Sequence, residues 1–154
     1  MTERAVCLDT SLIIKALVDE EPIVDSELAR TTLREAFSTG LVLAPSFAWA
    51  EVGSVLRKKV RQSLLSAELA TETWSEYRSL PFQFIDDALV RERAWQISSE
   101  FQFATLYDAC FMACCEVSAE RLRAPVNLLT FDRVLLDQLR GTRCDYVKDF
   151  RGLP

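Results

Sequence analysis

The chain has 154 residues, 49% hydrophobic and 27% charged, with 18 basic against 23 acidic side chains and a formal charge of −5. That is enough chain for one domain, residues 1–154, with its own core, and the apolar fraction is too high for disorder. No run of 18 uncharged apolar residues is present, so a membrane span is excluded, and the short apolar run before Asp9 is too brief for a signal peptide.

Residues 5–8 are a short apolar run that stops at Asp9, and Thr10 and Ser11 introduce a helix through residues 12–18; this reads as a strand followed by a capped helix. Residues 25–39 carry Leu28, Leu33, Ala36 and Phe37 at helical spacing, with Gly40 as the stop signal. Residues 41–44 form a second buried strand. A helix begins after Pro45-Ser46 with Trp49, Val52, Leu56 and Val60, and another over 66–79 places Leu69, Thr73 and Tyr77 on one face. A third strand over 82–85 precedes a helix over 87–101. Residues 105–119 are the most apolar helix, 126–130 a fourth strand, 132–140 a helix closed by Gly141, and 144–147 a fifth strand. Strands alternating with helices predict an α/β fold around a parallel sheet.

The chain has no histidine, which removes serine–histidine and cysteine–histidine nucleophiles and the usual zinc ligands. Four scattered glycines cannot build a phosphate-cradling loop. The five cysteines, with no export signal, read as reduced thiols in a cytoplasmic protein. Cys110 and Cys114 share a helical face, yet without further ligands buried thiols filling core space are the better reading. Any chemistry falls to carboxylates.

In parallel α/β sheets, sites form beyond the carboxyl ends of the strands. Asp9 directly follows the first strand, and Asp132 stands two residues after Thr130. A lone aspartate there is commonly a helix cap or turn residue, whereas two at equivalent positions invite a shared role. Glu51 and Asp108 lie inside apolar helical stretches, where an unpaired carboxylate is costly. They either pair with arginines or converge with Asp9 and Asp132 on a cation. Four hard-oxygen ligands suit Mg²⁺ or Mn²⁺. Setting those four aside leaves a charge of −1 and 14 arginines able to meet phosphates, so the acidic composition does not exclude a nucleic-acid partner.

Four segments resemble the motifs of the PIN-domain ribonucleases, particularly VapC-type toxins of toxin–antitoxin pairs. They are Val6-Cys-Leu-Asp9-Thr-Ser11, Ala44-Pro-Ser-Phe-Ala-Trp-Ala-Glu51, Thr105-Leu-Tyr-Asp108-Ala-Cys, and Asn127-Leu-Leu-Thr130-Phe-Asp132-Arg133. Their order and spacing agree over about residues 4–148. The resemblance implies a three-layer α/β/α fold with a five-stranded parallel sheet. It implies catalytic, metal-holding acids at Asp9, Glu51, Asp108 and Asp132, with Ser11 and Thr130 as polar helpers. It further implies RNA as substrate, Mg²⁺ or Mn²⁺ as cofactor, a homodimer, and a VapB-type antitoxin partner.

Arg133 is a candidate phosphate contact, and equally a surface arginine. Glu116 lies roughly 80° around the helix from Asp108 and is either a further member of the cluster or a surface acid. The basic run Arg57-Lys-Lys-Val-Arg61 reads either as a solvated helix end or as a guide for RNA. Leu12, Ile13, Leu17, Trp74 and Tyr77 are candidates for an apolar contact surface. The leading expectation is metal-dependent RNA hydrolysis. Its alternatives are a non-catalytic PIN-fold binding module and a phosphotransfer or phosphatase domain with Asp9 as nucleophile; the latter pattern wants an aspartate where Ser11 stands.

Overall fold

The computed structural model describes residues 4–153. Its elements run β1 (Arg4–Leu8), α1 (Thr10–Leu17), α2 (Ile23–Thr39), β2 (Gly40–Pro45), α3 (Ala48–Arg61), α4 (Ala67–Ser79), β3 (Gln83–Ile85), α5 (Ala88–Phe101), α6 (Tyr107–Leu122), β4 (Val126–Thr130), α7 (Arg133–Leu139) and β5 (Val147–Asp149), closed by a 3₁₀ turn over Phe150–Gly152. Every strand pair is parallel and the spatial order is β3-β2-β1-β4-β5. This is the α/β/α architecture expected from the sequence. Among the described residues no helix is long and apolar enough to cross a membrane.

Alternation along the strands divides the core into two layers. Ala5 and Cys7 of β1, Leu43 of β2 and Leu128 of β4 face α5, α6 and α7, packing on Val90, Phe111, Met112, Val117 and Leu135. Leu8, Val42 and Leu129 point the other way, toward α1 to α4, and meet Leu12, Ile13, Leu33, Val52 and Tyr77. A period of two in a strand covered on both faces puts apolar residues at successive positions, which is why these strands are continuous apolar runs. Helix α6 is buried nearly all round, and Cys7, Cys114 and Cys115 are inaccessible free thiols that fill space in its layer.

Several boundaries and faces differ from the sequence-based expectation. The fifth strand is Val147–Asp149 rather than 144–147. The Val147 amide donates to the Cys144 carbonyl (3.2 Å), so a turn precedes the strand, and the first bond to β4 runs from the Leu128 amide to the Tyr146 carbonyl (2.9 Å). Leu28 and Leu69 are exposed; α2 turns Ala29 and Leu33 inward, and α4 turns Ala70, Thr73 and Tyr77 inward. Trp49 is likewise exposed at 53%. Leu12, Ile13 and Tyr77 are core residues, so they do not form the apolar contact surface anticipated for them, whereas Leu17 and Trp74 are only partly buried against that core.

Gly40 does not stop α2 through a left-handed turn; its backbone is extended and it opens β2. Its role is close approach. A Cβ at this position would lie 1.7 Å from the Arg4 carbonyl oxygen of the neighbouring strand. Gly40→Ala is expected to lower stability by at least about 1 kcal/mol, a fall of about 3 °C in melting temperature. Gly152→Ala, where nothing lies within 4 Å of the added carbon, should leave the melting temperature unchanged in the same scanning-fluorimetry series.

Candidate active site

The chain leaves β1 toward β2 and β3 on one side, then returns to β4 and β5 on the other, so the strand order reverses between β1 and β4. The crevice at such a reversal, beyond the carboxyl ends of the strands, is where open α/β sheets bind ligands. Asp9 and Asp132 follow those two strands. Glu51 and Asp108 arrive from α3 and α6, each within the first turn of its helix. All four acids line one cleft of about 350 Å³, together with Ser11, Lys15, Glu20, Lys59 and Phe131.

Asp9 occupies the cap position of α1, yet its carboxylate makes no capping bond. Instead Asp9 Oδ2 accepts from Ser11 Oγ at 2.7 Å and from Thr130 Oγ1 at 2.8 Å. Thr130 Oγ1 also accepts from the Asp132 amide (3.0 Å), and Ser11 Oγ accepts from the Phe131 amide (3.0 Å). These hydroxyls lock the end of β1 to the end of β4. Asp132 behaves differently. Its Oδ1 caps α7 by accepting from the Val134 (2.9 Å) and Leu135 (3.1 Å) amides, which leaves Oδ2 outside the cap. The ordinary structural role of an aspartate thus holds for half of the Asp132 carboxylate and not for Asp9.

Glu51 and Asp108 are not held by arginines. Among the described residues, Glu51 Oε2 is buried without a hydrogen-bond partner within bonding geometry, as is the neighbouring Thr10 Oγ1. Burial pushes the Glu51 carboxyl up, the adjacent Thr10 hydroxyl opposes the rise, and the charges of Asp9 and Asp108 add to it. Asp108 is pushed up to about 6, by burial first and then by Asp9 and Asp132. Burial also raises Asp9, with Asp132 adding to it against the opposing hydroxyl bonds. The acids therefore sense one another across the cleft.

Two cations line the same cleft: Lys15, which the sequence reading passed over, and Lys59, a member of the basic run over residues 57–61. Lys15 is only 6% exposed, pairs with Glu20 at 3.6 Å, donates to the Glu21 carbonyl (3.2 Å) and lies 5.1 Å from the Phe131 ring centre. Lys59 pairs with the same Glu20 carboxylate. The available signal was a lysine set inside the apolar stretch Leu12-Ile-Ile-Lys15-Ala-Leu. Both lysines are turned onto Glu20 and leave the four acids uncompensated.

Two further candidates fall elsewhere. Arg133 does not enter the cleft; it lines a separate depression with Asp149 and Arg151 on the flank of α7. Glu116 is not part of the acid cluster. It accepts from Arg93 (2.9 Å), Arg143 (2.7 Å) and Tyr146 (2.6 Å), bracing α6 against α5 and the turn before β5.

Among the described residues no three acidic or thiol side chains are drawn together tightly enough to form a ready-made metal shell. The chemistry of the donors nevertheless fits a hard divalent ion. Four carboxylates not engaged in ion pairs line the cleft, Glu51 has an orphaned buried oxygen among the described residues, and Asp132 keeps an oxygen outside its cap.

The fold and the cleft define a three-layer α/β protein with an acidic crevice at the reversal of its strand order. The family model of the PIN domain matches residues 6–140, and the chain belongs to that family. Its structure is similar to PAE2754 from Pyrobaculum aerophilum, with 20% identity, a TM-score of 0.60, and coverage of 92% of this chain and 89% of that one. It is also similar to a chain in the structure of VapBC2 from Rickettsia felis bound to a DNA fragment from their promoter. There the identity is 14% and the TM-score 0.60, with 90% of this chain and 95% of that one covered. No curated protein matches the chain in sequence.

An acid whose pKa is raised in the folded state binds a proton more readily folded than unfolded. Its destabilising effect is absent at pH values below the unfolded pKa and develops as pH rises through the folded one. For Asp108 that window runs from the ordinary aspartate range to about 6. In metal-free protein, Asp108→Asn should therefore raise stability at pH 7.5 by about 1 kcal/mol, since partial exposure screens the charge. It should also flatten the decline in melting temperature between pH 5 and 7.5. Thermal melts across that range in EDTA check both effects.

Proposed function

We propose that the chain is a metal-dependent endoribonuclease acting in the cytoplasm as a single domain, the VapC-type toxin of a toxin–antitoxin pair. PIN domains are generally nucleases. The observation that carries the reading is the set of four uncompensated carboxylates in the crevice between β1 and β4, one with an orphaned buried oxygen. A binding module that merely kept the fold would have no use for four mutually repelling acids.

Asp9, Glu51, Asp108 and Asp132 would hold Mg²⁺ or Mn²⁺. When bound, the ion supplies an activated water and charge stabilisation at the phosphate and the leaving oxygen. Ser11 and Thr130 fix the Asp9 carboxylate through their hydroxyls, so that its remaining oxygen faces the cleft in one orientation. Asp132 is oriented by its cap to α7. Glu51, with its raised proton affinity, would either hold a second ion or orient the attacking water as a base. Lys15 and Lys59, now on Glu20, are the cations nearest an incoming phosphate. Arg133 stands on the flank, beyond the cleft, where it can meet phosphates of a longer strand. A homodimer and an antitoxin partner belong to the same reading, the latter supported by the similarity to a chain of a VapBC2 structure.

RNA cleavage should require Mg²⁺ or Mn²⁺ and stop in EDTA. Asp9→Asn and Asp108→Asn should each reduce the rate at least ~100-fold, through loss of several kcal/mol of charge stabilisation. Cleavage of a fluorescent RNA by protein purified to constant specific activity measures this, and undiminished activity in EDTA would refute it.

Metal binding is also expected to register in stability without any substrate. With a dissociation constant near ~1 mM, ~10 mM Mg²⁺ adds about 1.4 kcal/mol by mass action, a rise of about 4 °C. Asp132→Asn keeps an oxygen for the α7 cap and should erase most of that rise. Asp132→Ala should erase it and also cost about 1 kcal/mol from the lost cap. Melting curves with and without Mg²⁺ separate the two variants.

A further inference from the structure

Aromatic side chains stand just ahead of two of the four acids. Tyr107 precedes Asp108 in the first turn of α6, and Phe47 occupies the cap position of α3, one turn before Glu51. The Glu51 amide donates to the Phe47 carbonyl (3.2 Å), and the two side chains share a face of the helix with Cβ atoms about 5–6 Å apart. The Phe47 ring meets the Tyr107 ring edge to face, with centres 5.3 Å apart. It meets the buried Phe111 ring in the same way at 6.0 Å. Through Phe47, the core holds Tyr107 in place.

Tyr107 is nonetheless 58% exposed. A lone exposed ring is ordinary on a protein surface. What singles this one out is its place, next to a carboxylate of the quartet and mounted on a packed ring. Phe131, the aromatic residue that lines the acidic cleft itself, is in a different position. Lys15 and Arg151 lie 5.1 Å and 4.4 Å from its ring centre, and Phe150 packs 5.7 Å away, so its surface is already engaged. Trp49 is also exposed, but it lines a groove between α3 and α4 and not the acidic side of its helix. Tyr107 is the ring beside the acids that has surface to offer.

We propose that Tyr107 is a specificity-determining residue: its ring stacks on an unpaired nucleobase beside the scissile phosphate, so that the protein takes single-stranded and not duplex RNA. The inference rests on the nuclease reading above and names the form of its substrate. An aromatic face receives a base whatever its identity, which is the chemistry of single-strand recognition. In a duplex the faces of each base are occupied by its neighbours in the stack, and the ring has nothing to receive. Position supplies the next argument. A phosphate held over Asp108 and Glu51 would bring its flanking base to the starts of α6 and α3, where Tyr107 and Phe47 stand. Charge supplies the last. Four carboxylates line the crevice, and its two lysines are engaged by Glu20, so an uncharged stacking contact adds grip on the substrate where the field opposes phosphate. Phe47 is the positioning residue that sets the ring.

The test compares the full chain as wild type, Tyr107→Phe and Tyr107→Leu. On a short unpaired RNA, Tyr107→Leu should lower kcat/KM at least ~10-fold, whereas Tyr107→Phe, which keeps an aromatic face, should stay within about twofold of wild type. All three should melt together and show the same rise with Mg²⁺, because the side chain is exposed and lies outside the carboxylate set. In an Asp9→Asn background, where cleavage is slow, short RNAs each carrying one 2-aminopurine should lose fluorescence on binding at one position. Tyr107→Leu should abolish that loss, which a merely structural role would not do. Tyr107→Ala repeats the comparison should Tyr107→Leu disturb folding. Equal kcat/KM for all variants, a Tyr107→Phe protein as slow as Tyr107→Leu, a duplex cleaved as fast as the single strand, or quenching indifferent to Tyr107→Leu would overturn the proposal. So would light scattering in which Tyr107→Leu halves the mass of the protein, because a second copy of the chain would then cover the ring. Cleavage by wild type in Mg²⁺ and in EDTA is read separately. A nuclease indifferent to Tyr107 refutes the stacking role alone, and Tyr107-dependent quenching without cleavage refutes the nuclease reading while leaving the ring as an RNA contact.

Discussion

Everything in the acidic site depends on the parallel pairing of β1 with β4. Their register sets Leu8 opposite Leu129, so the next residues, Asp9 and Thr130, emerge side by side where the strand order reverses. The Asp9 amide donates to the Leu129 carbonyl (3.0 Å), extending the ladder by one bond, and the Thr130 hydroxyl closes on the Asp9 carboxylate. A slip of one residue would turn every β1 side chain to the opposite layer. The buried layers on both faces forbid that slip, so the same packing that stabilises the sheet aims the carboxylate.

The second constraint is electrostatic. Each acid of the quartet sits at a helix cap position or in a first turn, where unpaired backbone amides and the helix dipole favour negative charge. This offsets part of the repulsion, and the raised proton affinities of Asp9, Glu51 and Asp108 show that it does not remove it. Elsewhere the chain neutralises its buried acids readily. Glu116 is surrounded by Arg93, Arg143 and the Tyr146 hydroxyl, and its carboxyl is held below the usual range. The contrast within one molecule sets the crevice apart: cations are at hand, yet Lys15 and Lys59 are engaged by Glu20.

Helix α3 faces two different surfaces. One side presents Glu51 and Lys59 to the crevice, and the other presents a basic and aromatic groove with α4. The run Arg57-Lys58-Lys59-Val60-Arg61 is split between them, because successive residues of a helix point about 100° apart. Lys59 turns toward Glu20, while its three charged neighbours face the groove.

The sequence by itself determined the alternation of strands and helices, the parallel α/β class and the identity of the four acids. Those signals are local: apolar runs of strand length, a buried helix around Asp108, and carboxylates following strand ends. Its errors were of phase and of reach. The spacing of Leu69, Thr73 and Tyr77 could not tell which neighbouring stripe faces the core, because Ala70, Thr73 and Tyr77 are an equally helical set and packing against α3 selected it. Gly40 looked like a helix stop, but the atom that demands glycine belongs to Arg4, 36 residues away along the chain. Only the tertiary structure turned Lys15 and Lys59 onto Glu20, sent Glu116 to its arginines and separated Arg133 from the cleft. Each of these outcomes is a choice among partners distant in sequence, and that choice is made by chain crossovers and helix phase rather than by the residue types themselves.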